Sequence, residues 1–157
     1  MIVEILGAKM LAPYFGTSHF VWTAQIAVTL VALATGYYAG GRLAGSVATL
    51  GRLYGAIAIA AAYLGVAVAL REWVAWLFLM LPLAAGSLLA SVFLFFAPLS
   101  LLAMTGPFLV RVVTSSVSEV GRNVGRLTSI STIGSFIGTL AIGYVLIPLL
   151  PNSATMY

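Results

Sequence analysis

The stretch WTAQIAVTLVALATGYYAGG at residues 22–41 decides the fold, because it contains no charged side chain. A helix of about 20 mostly apolar residues has the length needed to cross the ~30 Å hydrocarbon core of a bilayer. Three further stretches share this apolar character, and they lie at residues 53–70, 83–108 and 127–150. The sequence therefore predicts four full membrane-spanning helices.

The composition of the whole chain indicates the same environment. Of its 157 residues, 62% are hydrophobic and only 6% are charged, and the mean hydropathy is +1.16. An ordinary water-soluble domain has roughly 25% charged residues, whereas an apolar exterior is stable in lipid. We predict an all-α integral membrane protein whose residues 1–157 form one transmembrane helical domain in contact with the lipid bilayer.

The segment at residues 1–14 is apolar but too short to cross a bilayer at 1.5 Å per residue, and Pro13 and Gly16 are expected to end it. We predict a partial N-terminal span that carries Glu4 and Lys9. Charges within a membrane are costly and usually mark a function or a pairing. A separation of five residues does not place two side chains on one helix face, so Glu4 and Lys9 are expected to serve different helices. The alternative is that Lys9 extends to the lipid interface and Glu4 lies near a membrane boundary.

Prolines and tryptophans divide the long apolar stretch after the second full span. Residues 73–81 are predicted to be a separate interfacial segment, since Trp73 and Trp76 suit the headgroup level and Pro82 follows. Pro98 is predicted to kink the third full span, because proline cannot donate to the helical hydrogen-bond ladder.

The arginines predict the orientation. Basic side chains concentrate in cytoplasmic loops of membrane proteins, and two loops here carry most of them: Arg42 and Arg52 in the first, and Arg111, Arg122 and Arg126 in the second. The opposite side holds Arg71 and Lys9. We therefore predict that the arginine-bearing loops are cytoplasmic and that the C-terminus lies outside. The membrane is expected to be a bacterial or archaeal cytoplasmic membrane. The basic residues are scattered singly, so no nucleic-acid partner is expected.

The residue types argue against catalysis by the chain alone. There is no cysteine and one histidine, so a cysteine zinc site, an iron–sulfur cluster or a disulfide framework is excluded. No hydroxyl nucleophile has a plausible base and orienting partner. We expect no metal, no cofactor and no enzymatic activity.

Small residues at four-residue spacing predict close helix packing, because they allow two helix backbones to approach. The pairs are Gly36 with Gly40, Gly51 with Gly55, Gly121 with Gly125, and Gly134 with Gly138. Thr128, Thr132, Ser135 and Thr139 form one stripe on the last span. These hydroxyls either bond across helices, which we favour, or line a polar path.

Four polar residues are candidates for a function within the membrane: Glu4, Lys9, Gln25 and Tyr37. Gln25 lies about one turn into the first full span and could form the wall of a pocket. The alternative for Tyr37, as for Trp22, is an anchor at the lipid headgroups.

Several segments, in order, resemble the membrane domain of the fused major-facilitator/spermidine-synthase-like family. They are EILGAKMLAPYFGTS at 4–18, Trp22, GYYAGGRLA at 36–44, MTGPF at 104–108, GRNVGR at 121–126, GSFIGT at 134–139 and IPLL at 147–150. The resemblance covers nearly the whole chain and implies a major-facilitator-like half-bundle. In that family the membrane part is commonly joined to an aminopropyltransferase-like domain that binds an adenosyl-sulfonium cofactor.

The chain departs from the family pattern in ways that affect function. It is expected to begin within the family's first helix and to stop before the sixth, and it contains no counterpart of the catalytic domain. Gly45 stands where the major-facilitator loop usually has an aspartate. The family's enzymatic activity is therefore not carried over to this chain.

Three functional hypotheses remain open from the sequence. The first is a transporter-like half-bundle that acts as an oligomer or with a second chain. The second is an accessory or structural subunit of a larger membrane complex. The third is a membrane anchor for a separate aminopropyltransferase-like enzyme. All three imply other membrane or protein chains as partners.

Overall fold

The computed structural model describes residues 2–46, 50–114 and 116–149, and this part of the chain is helical almost throughout, without a strand. The first three helices are α1 (Ile2–Phe15), α2 (His19–Ser46) and α3 (Leu50–Phe78). A continuous helical run follows, made of α4 (Leu83–Ser91), the π turn π1 (Val92–Phe96), α5 (Ala97–Ala103) and α6 (Thr105–Val113). A short 3-10 turn (Val117–Glu119) leads to α7 (Val120–Leu140), the π turn π2 (Ala141–Leu146) and α8 (Ile147–Leu149).

Among the described residues, four helical runs are long and apolar enough to cross a membrane: His19–Gly45, Gly51–Phe78, Leu83–Val113 and Val120–Leu146. Their number and order confirm the four predicted full spans. The chain is thus a multi-spanning integral membrane protein. α1 has 14 residues, a length of about 21 Å, which is shorter than the ~30 Å core of a bilayer.

The prediction of a separate interfacial segment at residues 73–81 is wrong, because α3 continues without a break to Phe78. Val74 and Ala75 explain the continuation. Their side chains are 1% and 0% exposed, so this part of the helix packs against the bundle. The turn that follows is short, and Pro82 begins α4 as its N-cap residue.

Gly16, rather than Pro13, ends the first helix. α1 runs through Pro13 to Phe15. Gly16 then adopts a φ of 71°, and its N–H donates to the carbonyl of Ala12 at 2.9 Å. This is the left-handed helix end that glycine adopts without steric cost. It allows α2 to turn back along α1.

α2 lies at the centre of the packing and contacts α1, α4, α5 and α6. Gly36 and Gly40 make the contact with α5 and α6 possible. A Cβ at Gly36 would collide with the Ser100 carbonyl oxygen and lie 2.5 Å from the Ala103 Cβ, and one at Gly40 would lie 2.8 Å from the Met104 Cα. Beside this contact, the hydroxyls of Thr35 and Ser100 lie 3.1 Å apart and share a hydrogen bond.

Pro98 lies in α5, two residues after the π turn of the third spanning run ends. A residue in a π turn accepts a hydrogen bond from the N–H five positions later, and for Phe93 that position is Pro98, which has no N–H. The Tyr63 hydroxyl of α3 donates to the Phe93 carbonyl at 2.7 Å. The predicted disturbance at Pro98 thus takes the form of a π turn whose carbonyl is bonded by a neighbouring helix.

α7 is the least covered spanning helix, since none of the residues in Val120–Leu140 is buried. Bulky apolar side chains are exposed on one side of it, among them Ile133, Phe136 and Leu140. Their spacing places them on a single face, as expected for a surface in contact with lipid. The opposite side carries the glycines and hydroxyl residues.

Candidate functional site

Glu4 and Lys9 lie on different faces of α1. Ala8, Leu11 and Phe15 are buried at 3%, 0% and 4% exposure, and Glu4 lies one turn before Ala8 on this inward face. Lys9 instead lines a groove with Trp22 of α2 and Ile147 of α8. The structure therefore does not bring the two charged candidates together.

Glu4 lies deep relative to the turn that joins α1 and α2. Eleven residues separate it from Phe15, which corresponds to about 16 Å along a helix axis. That distance is roughly half the thickness of the hydrocarbon core. Ionisable side chains within a membrane-spanning bundle usually have a functional role, so Glu4 is the acidic candidate for such a role.

Gln25 is enclosed in the core between α1, α2 and π1. Its side chain is 0% exposed, and both amide atoms lack a hydrogen-bond partner in the described part of the chain. Gly7 makes this enclosure possible, because a Cβ there would lie 2.9 Å from Gln25 Nε2 and 3.0 Å from Phe95 Cζ. Gln25 is therefore a core residue that Gly7 and Phe95 cover. Gly7 and Phe95 themselves line a small apolar pocket between α1, α3 and π1, whereas Gln25 does not reach it.

An unpaired amide in this position is energetically unfavourable. Leaving a buried polar group without a partner costs about 1–3 kcal/mol, and lipid offers no compensating water. The neighbouring hydroxyl Thr29 donates to the Gln25 backbone carbonyl at 2.9 Å and not to the side chain. The buried hydroxyl oxygen of Ser91 on α4 also lacks a hydrogen-bond partner among the described residues. These orphaned groups mark the bundle centre as a candidate functional region.

A cleft of about 600 Å³ lies between α2, α6 and α7. We call it the hydroxyl cleft, because Tyr37, Thr105, Thr128, Ser131 and Thr132 line it together with Gly106, Pro107, Leu109, Val110 and Leu127. None of these lining residues is charged. The structure thus brings Tyr37 together with part of the hydroxyl stripe of the last span.

The hydroxyls in this cleft differ in their hydrogen bonding. Thr105 donates to the Leu102 carbonyl at 2.7 Å. No side-chain hydrogen bond within residues 2–46, 50–114 and 116–149 involves the hydroxyls of Tyr37, Thr128, Ser131 or Thr132. Within the described part of the chain, Thr128 and Thr132 thus line the cleft and make no side-chain bond across helices, so the predicted bonds across helices are not seen there.

The arginines lie at the ends of the spans. Arg42 donates to the Tyr38 hydroxyl at 2.8 Å and lies 5.6 Å from the centre of that ring. Arg122 forms an exposed ion pair with Glu119 at 3.6 Å. Arg111 is in the last turn of α6, and Arg126 is exposed near the start of α7. The side of the membrane that they face stays a prediction.

Five of the other predicted packing glycines do not meet another helix within the part of the chain that the structure describes. A Cβ at Gly51, Gly55, Gly121, Gly125 or Gly134 would find no atom within 4 Å, and Gly138 is half-buried. The described helices of one chain thus use Gly36 and Gly40 for close packing and leave the faces of α3 and α7 that carry the other glycines uncovered.

Metal-binding clusters of three or more His, Asp or Glu side chains do not occur among the described residues. Sequence reasoning did not identify Thr105, Ser131 and the Tyr63–Phe93 bond. The proline five residues after Phe93 was the available signal for that bond.

Comparison with models of protein families, with curated proteins and with solved structures finds no match for the chain.

Proposed function

We propose that the chain is a transporter-like half-bundle that acts as an oligomer or together with a second chain. The observation that carries this proposal is the hydroxyl cleft between α2, α6 and α7. α7, which forms one of its walls, has no buried residue. Transporters are often built from repeated halves with the substrate site at the interface between them, near the middle of the membrane. A mostly apolar cleft between α2, α6 and α7 that carries several hydroxyl groups is what one half would contribute.

The polar groups at the bundle centre support the same proposal. Glu4 lies on the inward face of α1, and the amide of Gln25 is buried without a partner among the described residues. Such groups are costly in lipid and are retained mainly where they bind or conduct something. The resemblance to the fused major-facilitator/spermidine-synthase-like family adds weight, and membership of that family is part of the proposal.

Native mass spectrometry of the complex, extracted gently from its own membrane, tests the proposal. A homo-oligomer, or a pair with one other multi-spanning chain, is the expected result. A monomer that retains its fold and binds no other chain would contradict it.

The Glu4→Gln variant tests the role of the inward carboxyl group. We expect it to keep its helical content and assembly but to lose solute flux across proteoliposomes. Glu72→Gln is the matched control, since it makes the same change at an exposed position of α3. Undiminished flux in Glu4→Gln would remove Glu4 from the transport mechanism.

The second candidate function is an accessory subunit of a larger membrane complex. The uncovered glycines of α3 and α7 favour it, because the described part of one chain brings no atom against Gly51, Gly55 or Gly121. Such small-residue faces are typical of contacts with other helices. In this case the same mass spectrum would contain several different partner chains, and the isolated protein would carry no flux.

A further inference from the structure

We infer that the hydroxyl cleft binds an uncharged, hydroxylated amphiphile, meaning a molecule with several hydroxyl groups on or beside an apolar body. This inference deepens the proposed function by giving the chemical class of the ligand. Its test measures ligand binding alone. The inference about the ligand can therefore be wrong while the proposed oligomer and transport activity are right, and the proposed function can be wrong while the ligand binds.

The size of the cleft fits a small molecule. Ligand sites in proteins usually have volumes of about 300–1,000 Å³ and are mostly apolar with a few convergent polar groups. The cleft has a volume of about 600 Å³. Apolar surface comes from Pro107, Leu109 and Leu127, whereas the hydroxyls come from three different helices.

The α7 hydroxyls of the cleft have hydrogen-bonding capacity that the described part of the chain does not use. Thr128, Ser131 and Thr132 occupy successive positions on one face of α7, and they make no hydrogen bond within the part of the chain that the structure describes. Each hydroxyl can both donate and accept. A ligand with its own hydroxyls satisfies both functions, whereas a ligand with acceptors alone, such as a carboxylate, does not.

The described residues that line the cleft carry no charge that would offset a strongly ionic ligand. Burying a charged group without an opposite charge or several hydrogen bonds is costly. Arg111 is exposed beyond Val110, and Arg42 is engaged with Tyr38; neither is among the described residues that line the cleft. The lining therefore suits a neutral molecule better than a phosphate, a carboxylate or an ammonium group.

Tyr37 provides the apolar wall that an amphiphile would contact. Its side chain is 51% exposed. A Cβ at Gly106 would lie 3.7 Å from the Tyr37 Cε1, so the ring lies beside this glycine at the edge of the cleft. A tyrosine ring combines an apolar body with a polar hydroxyl, which matches the two parts of the inferred ligand.

Equilibrium dialysis of tritiated n-hexyl β-D-glucopyranoside against the protein complex in polymer-bounded discs of its own membrane tests the inference. Discs prepared from membranes without the protein correct for partition into lipid. The matched charged probes are n-hexyl phosphate and n-hexyltrimethylammonium. We expect saturable binding of the glucoside and binding of both charged probes that is at least about tenfold weaker.

The variant Thr128→Val/Ser131→Ala/Thr132→Val removes the α7 hydroxyls with little change in volume. We expect its affinity for the glucoside to fall about tenfold or more, since each lost hydrogen bond reduces affinity by a few-fold. Ser129→Ala is the control, because Ser129 lies on the same helix outside the cleft. If the triple variant does not fold, Tyr37→Phe gives the same test, with Tyr38→Phe as its control.

Three results would overturn the inference: no saturable binding of the glucoside, equal affinity in the wild-type and hydroxyl-depleted proteins, or tighter binding of a charged probe. The last result would identify an ionic site. The mass spectrum described above does not depend on any of these outcomes.

Discussion

At the residue scale, close contacts fix the arrangement of the bundle. Gly36 and Gly40 let α2 touch the backbone of α5 and α6, and Gly7 lets α1 cover the Gln25 amide. In a membrane, packing of this kind provides much of the association free energy, because lipid is as apolar as the helix surface. Single added methyl groups should therefore have large and position-specific effects.

Gly36→Ala should destabilise the folded protein by about 1–3 kcal/mol, the usual cost of overpacking a tight contact. Gly55→Ala is the matched control, since a Cβ there meets no atom within 4 Å among the described residues. Unfolding by sodium dodecyl sulfate in mixed micelles, followed by circular dichroism, gives both free energies. Equal losses in the two variants would show that the α2 contact is not as close as described.

Gln25→Met should leave the stability of the protein unchanged or raise it by about 1–3 kcal/mol, because an unpaired buried amide is replaced by an apolar side chain of similar shape. The same micelle titration measures the change. Phe95→Ala on the adjacent helix serves as the comparison and should destabilise the protein by about 3–5 kcal/mol. A loss of similar size in Gln25→Met would mean that the amide has a stabilising partner.

At the element scale, a hydrogen bond from α3 satisfies a backbone carbonyl in the third spanning run. The Tyr63 hydroxyl donates to the Phe93 carbonyl, five residues before Pro98. A proline within a helix leaves a carbonyl without its N–H partner, and such carbonyls in membrane helices are commonly satisfied by neighbouring groups. The π turn and α3 are thus coupled through one hydrogen bond.

Tyr63→Phe should reduce the stability of the protein by about 1–3 kcal/mol, since the carbonyl is left without this donor. The loss should be smaller in a Pro98→Ala background, because alanine supplies an N–H for the helical ladder. A double-mutant cycle of the two substitutions measures the coupling. Tyr54→Phe on the exposed side of α3 is the control. Additive effects of Tyr63→Phe and Pro98→Ala would contradict the coupling.

The spans were predictable from the sequence, whereas their details were not. Hydropathy sums over about 20 residues, so four charge-poor stretches sufficed to predict the four runs. Residues 73–81 were misassigned because the burial of Val74 and Ala75 depends on neighbouring helices. That Glu4 and Lys9 serve different helices stays a prediction from their spacing. The hydroxyl cleft joins residues more than 90 positions apart, from Tyr37 to Thr132, and only the packed bundle brings them together.

At the scale of the whole molecule, the four spans and the placement of the arginines define a topology. The turn at residues 79–82 and the turn at Gly16 should lie on one side of the membrane. The 3-10 turn (Val117–Glu119) lies in the loop between Arg111 and Arg122 and should lie on the other. Reversal of this orientation would place the arginines outside, against the usual distribution of basic residues.

Cysteine accessibility in intact cells tests this central claim most directly, since the chain has no native cysteine. Thr17→Cys, Met80→Cys and Ser118→Cys each place one thiol in a connection between helices. A membrane-impermeant maleimide should label Thr17→Cys and Met80→Cys from outside, and should label Ser118→Cys only after the cells are opened. Labelling of all three variants from the same side would contradict the arrangement of four membrane-spanning helices.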